Sequence, residues 1–229
     1  MPSKGINDDL TKFAHMKTEK MDWQASPSPS VWRKRLEHFG NDAESGHVTS
    51  VVRYDPNSAF ASHGHPDGEE ILVLDGVFSD EYGDYPAGTY LLNPTGFRHA
   101  PRSAEGCVLF VKLCQYAGAD RPQITIDTNA ADWQPTPFEG IEMLPLYSSN
   151  VYPESVLLIR SRAGAPSPHH SHPGGEEIFV IEGAIEDEFG RYEKGDWVRY
   201  PAGSEHKLHS DTGALLYVKS GHLPAAGDR

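Results

Sequence analysis

Short apolar runs closed by acidic, glycine-containing turns recur along the whole chain, and none of them has room for a long helix. ILVLDGVF (Ile71–Phe78) leads into DEYGD, and IFVIEGAI (Ile178–Ile185) leads into DEFGR. Runs this short, rich in Val, Ile and Leu and bounded by turn residues, predict buried strands. VTSVVRYDP and CVLFVKL read the same way. The 18 Pro and 22 Gly are scattered rather than clustered, as many short strands and turns require.

The pattern occurs twice. HGHPDGEEILVLDG starts at His63 and HSHPGGEEIFVIEG at His170, an offset of 107. The same offset carries Gly88 to Gly195, Pro94 to Pro201, Gly96 to Gly203 and His99 to His206. It also carries SDEYGDY (Ser79–Tyr85) to EDEFGRY (Glu186–Tyr192), and LFVK to LYVK. Upstream, DWQASP at Asp22 matches DWQPTP at Asp132 with an offset of 110. A period near 100 residues marks a duplicated domain rather than a solenoid. The boundary is expected in the polar segment CQYAGADRPQ, giving domains 1–116 and 117–229. VWRKRLEHFG places Val31, Leu36 and Phe39 near helical spacing, but its partner GIEMLPLYSS contains Pro145, which a helix interior tolerates badly. Both are therefore assigned as strands. The expected fold class is all-β, two tandem jelly-roll β-barrels whose mouths take small ligands.

Charge and composition remove several function classes. The net charge is −13 and no Lys/Arg stripe is present, which argues against nucleic acid as a partner. No stretch approaches the roughly 18 apolar residues of a membrane helix. The N-terminal sequence MPSKGINDDLTKFAHMK lacks the apolar centre of a secretion signal, and the two cysteines, Cys107 and Cys114, are too far apart along one strand to bridge. A reducing cytoplasm is the expected location. Buried packing, rather than redox chemistry, is the expected role of both thiols.

The chemistry sits in the repeated histidines. In an extended strand His63 and His65 share a face, Glu69 keeps that parity beyond the Pro66–Gly68 turn, and His99 follows the turn PTGFR. His170, His172, Glu176 and His206 repeat the set. Three imidazoles and a carboxylate suit a divalent ion such as Zn, Fe, Mn or Ni, and on an octahedral ion they leave two positions open. Two ions per chain are expected, one in each repeat.

These residues resemble the two motifs of the cupin superfamily, G(x)5HxH(x)3–4E(x)6G and G(x)5PxG(x)2H. The second repeat fits both from Gly164 to His206, and the first fits from His63 to His99 with Asn57 in the place of the leading glycine. HPGGEEIFVIEG, the turn DE-F/Y-G-x-Y and the closing LYVK are similar to the cupin domain of ChrR-type anti-sigma factors. The resemblance implies that the four residues named in each repeat are the metal ligands and that Glu70 and Glu177 are not. The separate H-x3-C-x2-C zinc module of those factors is missing here, so the anti-sigma role is not carried over.

Several other positions have two readings. His169 has the opposite parity to the ligands and is expected at the surface. Arg53 and Arg160 correspond, and either reach an anionic substrate or form ion pairs on the barrel surface. Tyr90 becomes Trp197 and Leu92 becomes Arg199; facing inward they would give the two pockets different polarity, facing outward they would be surface drift. Three functions fit: a metal-dependent, dioxygenase-like oxidoreductase acting on a small organic substrate, a metal-loaded binding or sensor module, and an Mn(II) carboxylate enzyme resembling oxalate decarboxylases. The partner expected is a small molecule, with a homodimer left open as the assembly.

Overall fold

A computed structural model of the chain describes residues 5–39 and 46–225. Among them the only helical turn is a single 3-10 turn, Thr18–Lys20. The principal strands are β1 (Ala14–Lys17), β2 (Val31–Phe39), β3 (His47–Tyr54), β4 (His63–His65), β5 (Glu69–Ser79), β6 (Thr89–Asn93), β7 (Phe97–His99), β8 (Cys107–Leu113) and β9 (Ile124–Asp127). They continue with β10 (Ile141–Tyr147), β11 (Ser155–Ser161), β12 (His170–His172), β13 (Glu176–Asp187), β14 (Asp196–Tyr200), β15 (Ser204–His206) and β16 (Ala214–Ser220). The architecture is all-β, two tandem jelly rolls. No helix among the described residues is long and apolar enough to cross a membrane.

In the first unit the main sheet runs β9-β6-β5-β8-β3-β2, and β4 pairs with β7 in a separate two-stranded sheet. In the second it runs β1-β14-β13-β16-β11-β10, and β12 pairs with β15. Alternation fills each interior. Ile71 and Val73 on β5 meet Val52 and Tyr54 on β3 and Leu109 and Val111 on β8. Ile178, Val180, Val198, Leu216 and Val218 do the same in the second unit.

Each compact unit is assembled from two segments, whereas the expected domains are the continuous stretches 1–116 and 117–229. The first unit is Met1–Asp8 with Met21–Ala131, and the second is Asp9–Lys20 with Asp132–Arg229. The cause is edge pairing. β1, at the start of the first repeat, adds to β14 of the second unit with Ala14 opposite Arg199. β9, at the start of the second repeat, adds to β6 of the first unit with Ile124 opposite Leu92. A sheet edge left bare exposes a row of unpaired backbone groups, and each arm satisfies one such row.

The segment around Val31 is a strand, as is its partner. Pro145 is accommodated where the register of β10 against β11 shifts, between Pro145 and Tyr147. The motif glycines answer a backbone demand. Gly76 and Gly183 both have φ +72°, and a Cβ on either would collide with the carbonyl oxygen of Gly106 or Gly213. Asn57, standing where the motif has glycine, takes φ +61° against +69° for Gly164. Asparagine is one of the few other residues that enters this left-handed region readily.

Candidate metal centres

Each unit gathers its histidines by the same construction. Antiparallel pairing of β4 with β7 sets His63 directly opposite His99, and pairing of β12 with β15 sets His170 opposite His206. His65 and His172 lie two residues along, on the same face as their partners. In the first unit His65 Nε2 lies 3.0 Å from His99 Nε2. In the second, His206 Nε2 lies 3.0 Å from His172 Nε2 and 3.2 Å from His170 Nε2.

Buried imidazole nitrogens meeting edge to edge are hard to satisfy among themselves, because two neutral rings facing through Nε2 share at most one proton. A cation at the point of convergence satisfies all of them at once, so the donor set fits a divalent ion. His63, His65 and His99 form one group that could hold a metal ion, and His170, His172, Glu176 and His206 form a second. Ligand atoms within each group lie within 4.8 Å of one another. Glu176 Oε1 is 3.5 Å from His206 Nε2, and its Oε2 is 3.3 Å from His172 Nδ1. Glu69 is not within that spacing of all three histidines, although its Oε2 is 3.5 Å from the Nε2 atoms of both His65 and His99.

Hydrogen bonds on the far side of the rings set their orientation. His63 Nδ1 lies 2.9 Å from the Ala61 carbonyl, and His170 Nδ1 lies 3.0 Å from the Pro168 carbonyl. His99 Nδ1 lies 3.2 Å from Asp80 Oδ2, and His206 Nδ1 lies 3.5 Å from Asp187 Oδ2. For His63, His99 and His170, donation from Nδ1 fixes the tautomer that leaves Nε2 free as a ligand, whereas Asp187 faces His206 at ion-pair rather than hydrogen-bond distance. Asp80 is held in turn by the amides of Tyr82 and Gly83 and the hydroxyl of Tyr85. Asp187 accepts from the amides of Phe189 and Gly190 and from the hydroxyls of Tyr192 and Tyr200. These two aspartates escaped the sequence reading, which took DEYGD and DEFGR for turns. The available signal was their common place in the repeat: turns that only reverse the chain have no need to keep Asp and Tyr at matching positions.

The electrostatics of the two groups differ. Burial, reinforced by His99 and His63, pulls His65 down to about 3. Burial also lowers His99 and His172. Glu69 is pushed up to about 8 by burial, against a lowering hydrogen bond from Asn93. His206 goes the other way. Burial works against its charge, yet Asp187 and Glu176 raise it to about 9. Asp187 is itself held at about 2 despite burial, by hydrogen bonds from His206, Tyr200, the Phe189 amide and Tyr192.

Each group lies on a cavity. The first, of about 470 Å³, contains His63, His65, Glu69 and His99. The second, of about 490 Å³, contains His170 and Glu176. Both are large enough for a small organic molecule.

The remaining candidates resolve as follows. His169 is exposed, 4.0 Å from Glu205. Arg53 lies over the Trp23 ring at 4.7 Å and pairs with Asp55 at 3.4 Å. Arg160 lies over the Trp133 ring at 4.5 Å and pairs with Glu142 at 2.8 Å. Neither arginine lines either of these cavities, and both form the ion pairs of the surface reading. Leu92 and Arg199 fit neither expectation: each is 1% exposed, and neither lines its unit's cavity. Arg199 donates to the carbonyls of Asp9 and Lys12 and so anchors the arm that carries β1. Tyr90 and Trp197 point the same way, donating to Glu70 and Glu177, the two carboxylates outside the ligand sets. Both cysteines are free thiols, and burial pushes Cys107 up to about 11.

Two jelly rolls, each converging three histidines from equivalent strands and joined in the second by Glu176, define a tandem cupin. The ChrR cupin-like domain family matches residues 11–117 and again residues 121–224, and the chain belongs to that family. No curated protein matches the sequence. Among solved structures, a candidate dioxygenase of Nostoc punctiforme is similar over 95% of this chain and 85% of its own, with TM-score 0.75 and 18% identity. The E. coli protein YlbA is similar over 98% and 97%, with TM-score 0.71 and 14% identity. An oxalate decarboxylase of Bacillus subtilis, studied for its Mn(II) centres, is similar over 93% and 78%, with TM-score 0.63 and 12% identity. At such identities the likeness is one of fold.

Proposed function

We propose that the chain is a metal-dependent oxidoreductase of the dioxygenase type, acting on a small organic substrate, with one divalent ion in each unit. His63, His65, Glu69 and His99 would hold the first ion, and His170, His172, Glu176 and His206 the second. The observation that carries this reading is that both histidine groups open onto cavities of substrate size. A structural zinc ion is normally enclosed by four protein ligands, often thiolates; here no cysteine joins either group. When bound, such an ion supplies Lewis acidity and, for iron or manganese, one-electron chemistry.

The chain's own residues do the rest. Asp80 fixes the tautomer of His99, and the charge of Asp187 stands behind His206. Apolar walls, with Ile71, Leu109 and Val111 in the first unit and Ile178, Leu216 and Val218 in the second, keep water away from the bound molecule.

The test is to reconstitute the protein separately with Fe(II), Mn(II), Ni(II) and Zn(II) and to offer β-diketones, flavonols, thiols, oxalate and lipid hydroperoxides. O2 uptake or product formation that vanishes in the double variant His65→Ala/His172→Ala is the expected result. Absence of turnover with every metal, alongside tight ligand or protein binding, would overturn the enzymatic reading in favour of a sensor module.

A further inference from the structure

The two cavities share their metal-facing end and differ in the wall formed by β2 and β3, or by β10 and β11. In the first unit that wall carries Arg33, Ser50 and Tyr54, all of which line the cavity. Arg33 lies opposite Val52 across the β2–β3 ladder, so Ser50 and Tyr54 are its diagonal neighbours on the same face. In the second unit the equivalent residues are Met143, Leu157 and Ser161. Met143 and Ser161 line that cavity, Leu157 packs against the neighbouring core, and among the described residues no lysine or arginine lines it.

Two independent features point to a ligand on the first wall. Arg33 brings a guanidinium, a planar fork of donors matched to a carboxylate. Ser50 is 2% exposed, and its hydroxyl has no hydrogen-bond partner. Buried hydroxyls are normally satisfied, so one left over on a cavity wall calls for a molecule that completes it. The remaining surface is apolar, with Val48, Val52, Leu109 and Val111 around these polar groups.

Resting on the reading of this cavity as a substrate site, we infer that the first unit selects an organic anion with an apolar body. Arg33 and Ser50 would hold its carboxylate, and Tyr54 would stand beside it. The second unit, with Met143 and Leu157 in those places, takes a neutral, more apolar molecule.

The probes are benzoate and its neutral isostere benzamide, titrated calorimetrically into the full chain in both metal-free and Mn(II)-loaded forms. Metal content is measured on the same samples. The wild-type protein should bind one benzoate per chain at Arg33, at least tenfold more tightly than benzamide, since a charge-assisted hydrogen bond is worth roughly tenfold or more. Arg33→Met should abolish that preference without changing metal content, and Arg33→Lys should recover part of it. Ser50→Ala should weaken benzoate by a smaller factor. Met143→Arg should create a second benzoate site, which keeps the proposal testable should Arg33→Met fail to fold. Equal affinity for benzoate and benzamide in the wild type, or unchanged benzoate affinity in Arg33→Met, overturns the inference. Failure to take up metal would overturn the metal-site reading instead, and the metal-free titrations would still decide the role of Arg33.

Discussion

The first unit and the second have the same histidine geometry and hold their protons in different places. In the first, the proton present near neutral pH sits on Glu69, whose carboxyl burial raises to about 8, while His65 and His99 are driven neutral. In the second it sits on His206, raised to about 9 between Asp187 and Glu176. The lesson is that an identical set of ligand types does not fix the charge state of a site. That is set by how the neighbouring carboxylates reach the rings. Glu176 meets His172 and His206 through separate oxygens and accepts from Ser220, whereas Glu69 faces both His65 and His99 through one oxygen, which also accepts from Asn93.

The most severe way to break the comparison is to remove one ligand from each unit. Every side chain in each group comes from its own repeat, so the two should fail independently. His65→Ala is expected to remove one ion and leave the other, and His172→Ala to do the converse, as read by elemental analysis of protein reconstituted with metal. Because an ion that binds only the folded state adds to stability, each variant should also lower the melting temperature of the metal-loaded protein. Loss of both ions from either single variant, with the fold intact by circular dichroism, would contradict independent sites.

A milder intervention acts one layer out. Asp80→Asn and Asp187→Asn keep the shape while removing the charge behind His99 and His206. Changes of this kind typically weaken metal binding about 10–100-fold. The two should not be equal at pH 7. Asp187 also helps keep a proton on His206, so its loss eases the competition between proton and metal and offsets part of the damage. His99 is already held neutral by burial, so Asp80→Asn has no such compensation. The larger fall in affinity is therefore expected in the first unit, measured by competition with a chromophoric chelator. The reverse order would show that the charge behind the ring matters less than the hydrogen bond itself.

Much of this was legible in the sequence for a simple reason: strand alternation and a fixed offset are local properties. His63, His65, Glu69 and His99 could be placed on one face from parity and turns alone, and Asn57 could be recognised as a glycine substitute from its place in the motif. The arms could not. β1 pairs with a strand about 180 residues later, and nothing in AHMK announces that partner. For the same reason Arg199 was legible as a change from Leu92 but not as the anchor of Asp9 and Lys12, since its meaning depends on an edge strand supplied from elsewhere in the chain. Asp80 and Asp187 were hidden by a different effect. Aspartate is so common in turns that its second role, behind a histidine, leaves no separate mark.

The finest test of the comparison counts protons. A metal ion needs Glu69 as a carboxylate and His206 as a neutral imidazole. At pH 7, below both 8 and 9, the metal-free protein holds one proton on each of these groups. Filling either site should therefore release about one proton at that pH. The sign follows directly: protons compete with metal, so apparent affinity rises with pH by about tenfold per unit while the group is protonated, and levels off above its pKa. Levelling should come near pH 8 for the first unit and near pH 9 for the second. Between those values only the second site still gains. Calorimetric titration with Mn(II) in buffers of different ionisation enthalpy reads the proton count directly. His172→Ala and His65→Ala isolate the first and second sites in turn. Release that stops at the same pH in both would mean that the two carboxylates reach their histidines equivalently in solution, and the asymmetry between the units would then lie in the cavity walls alone.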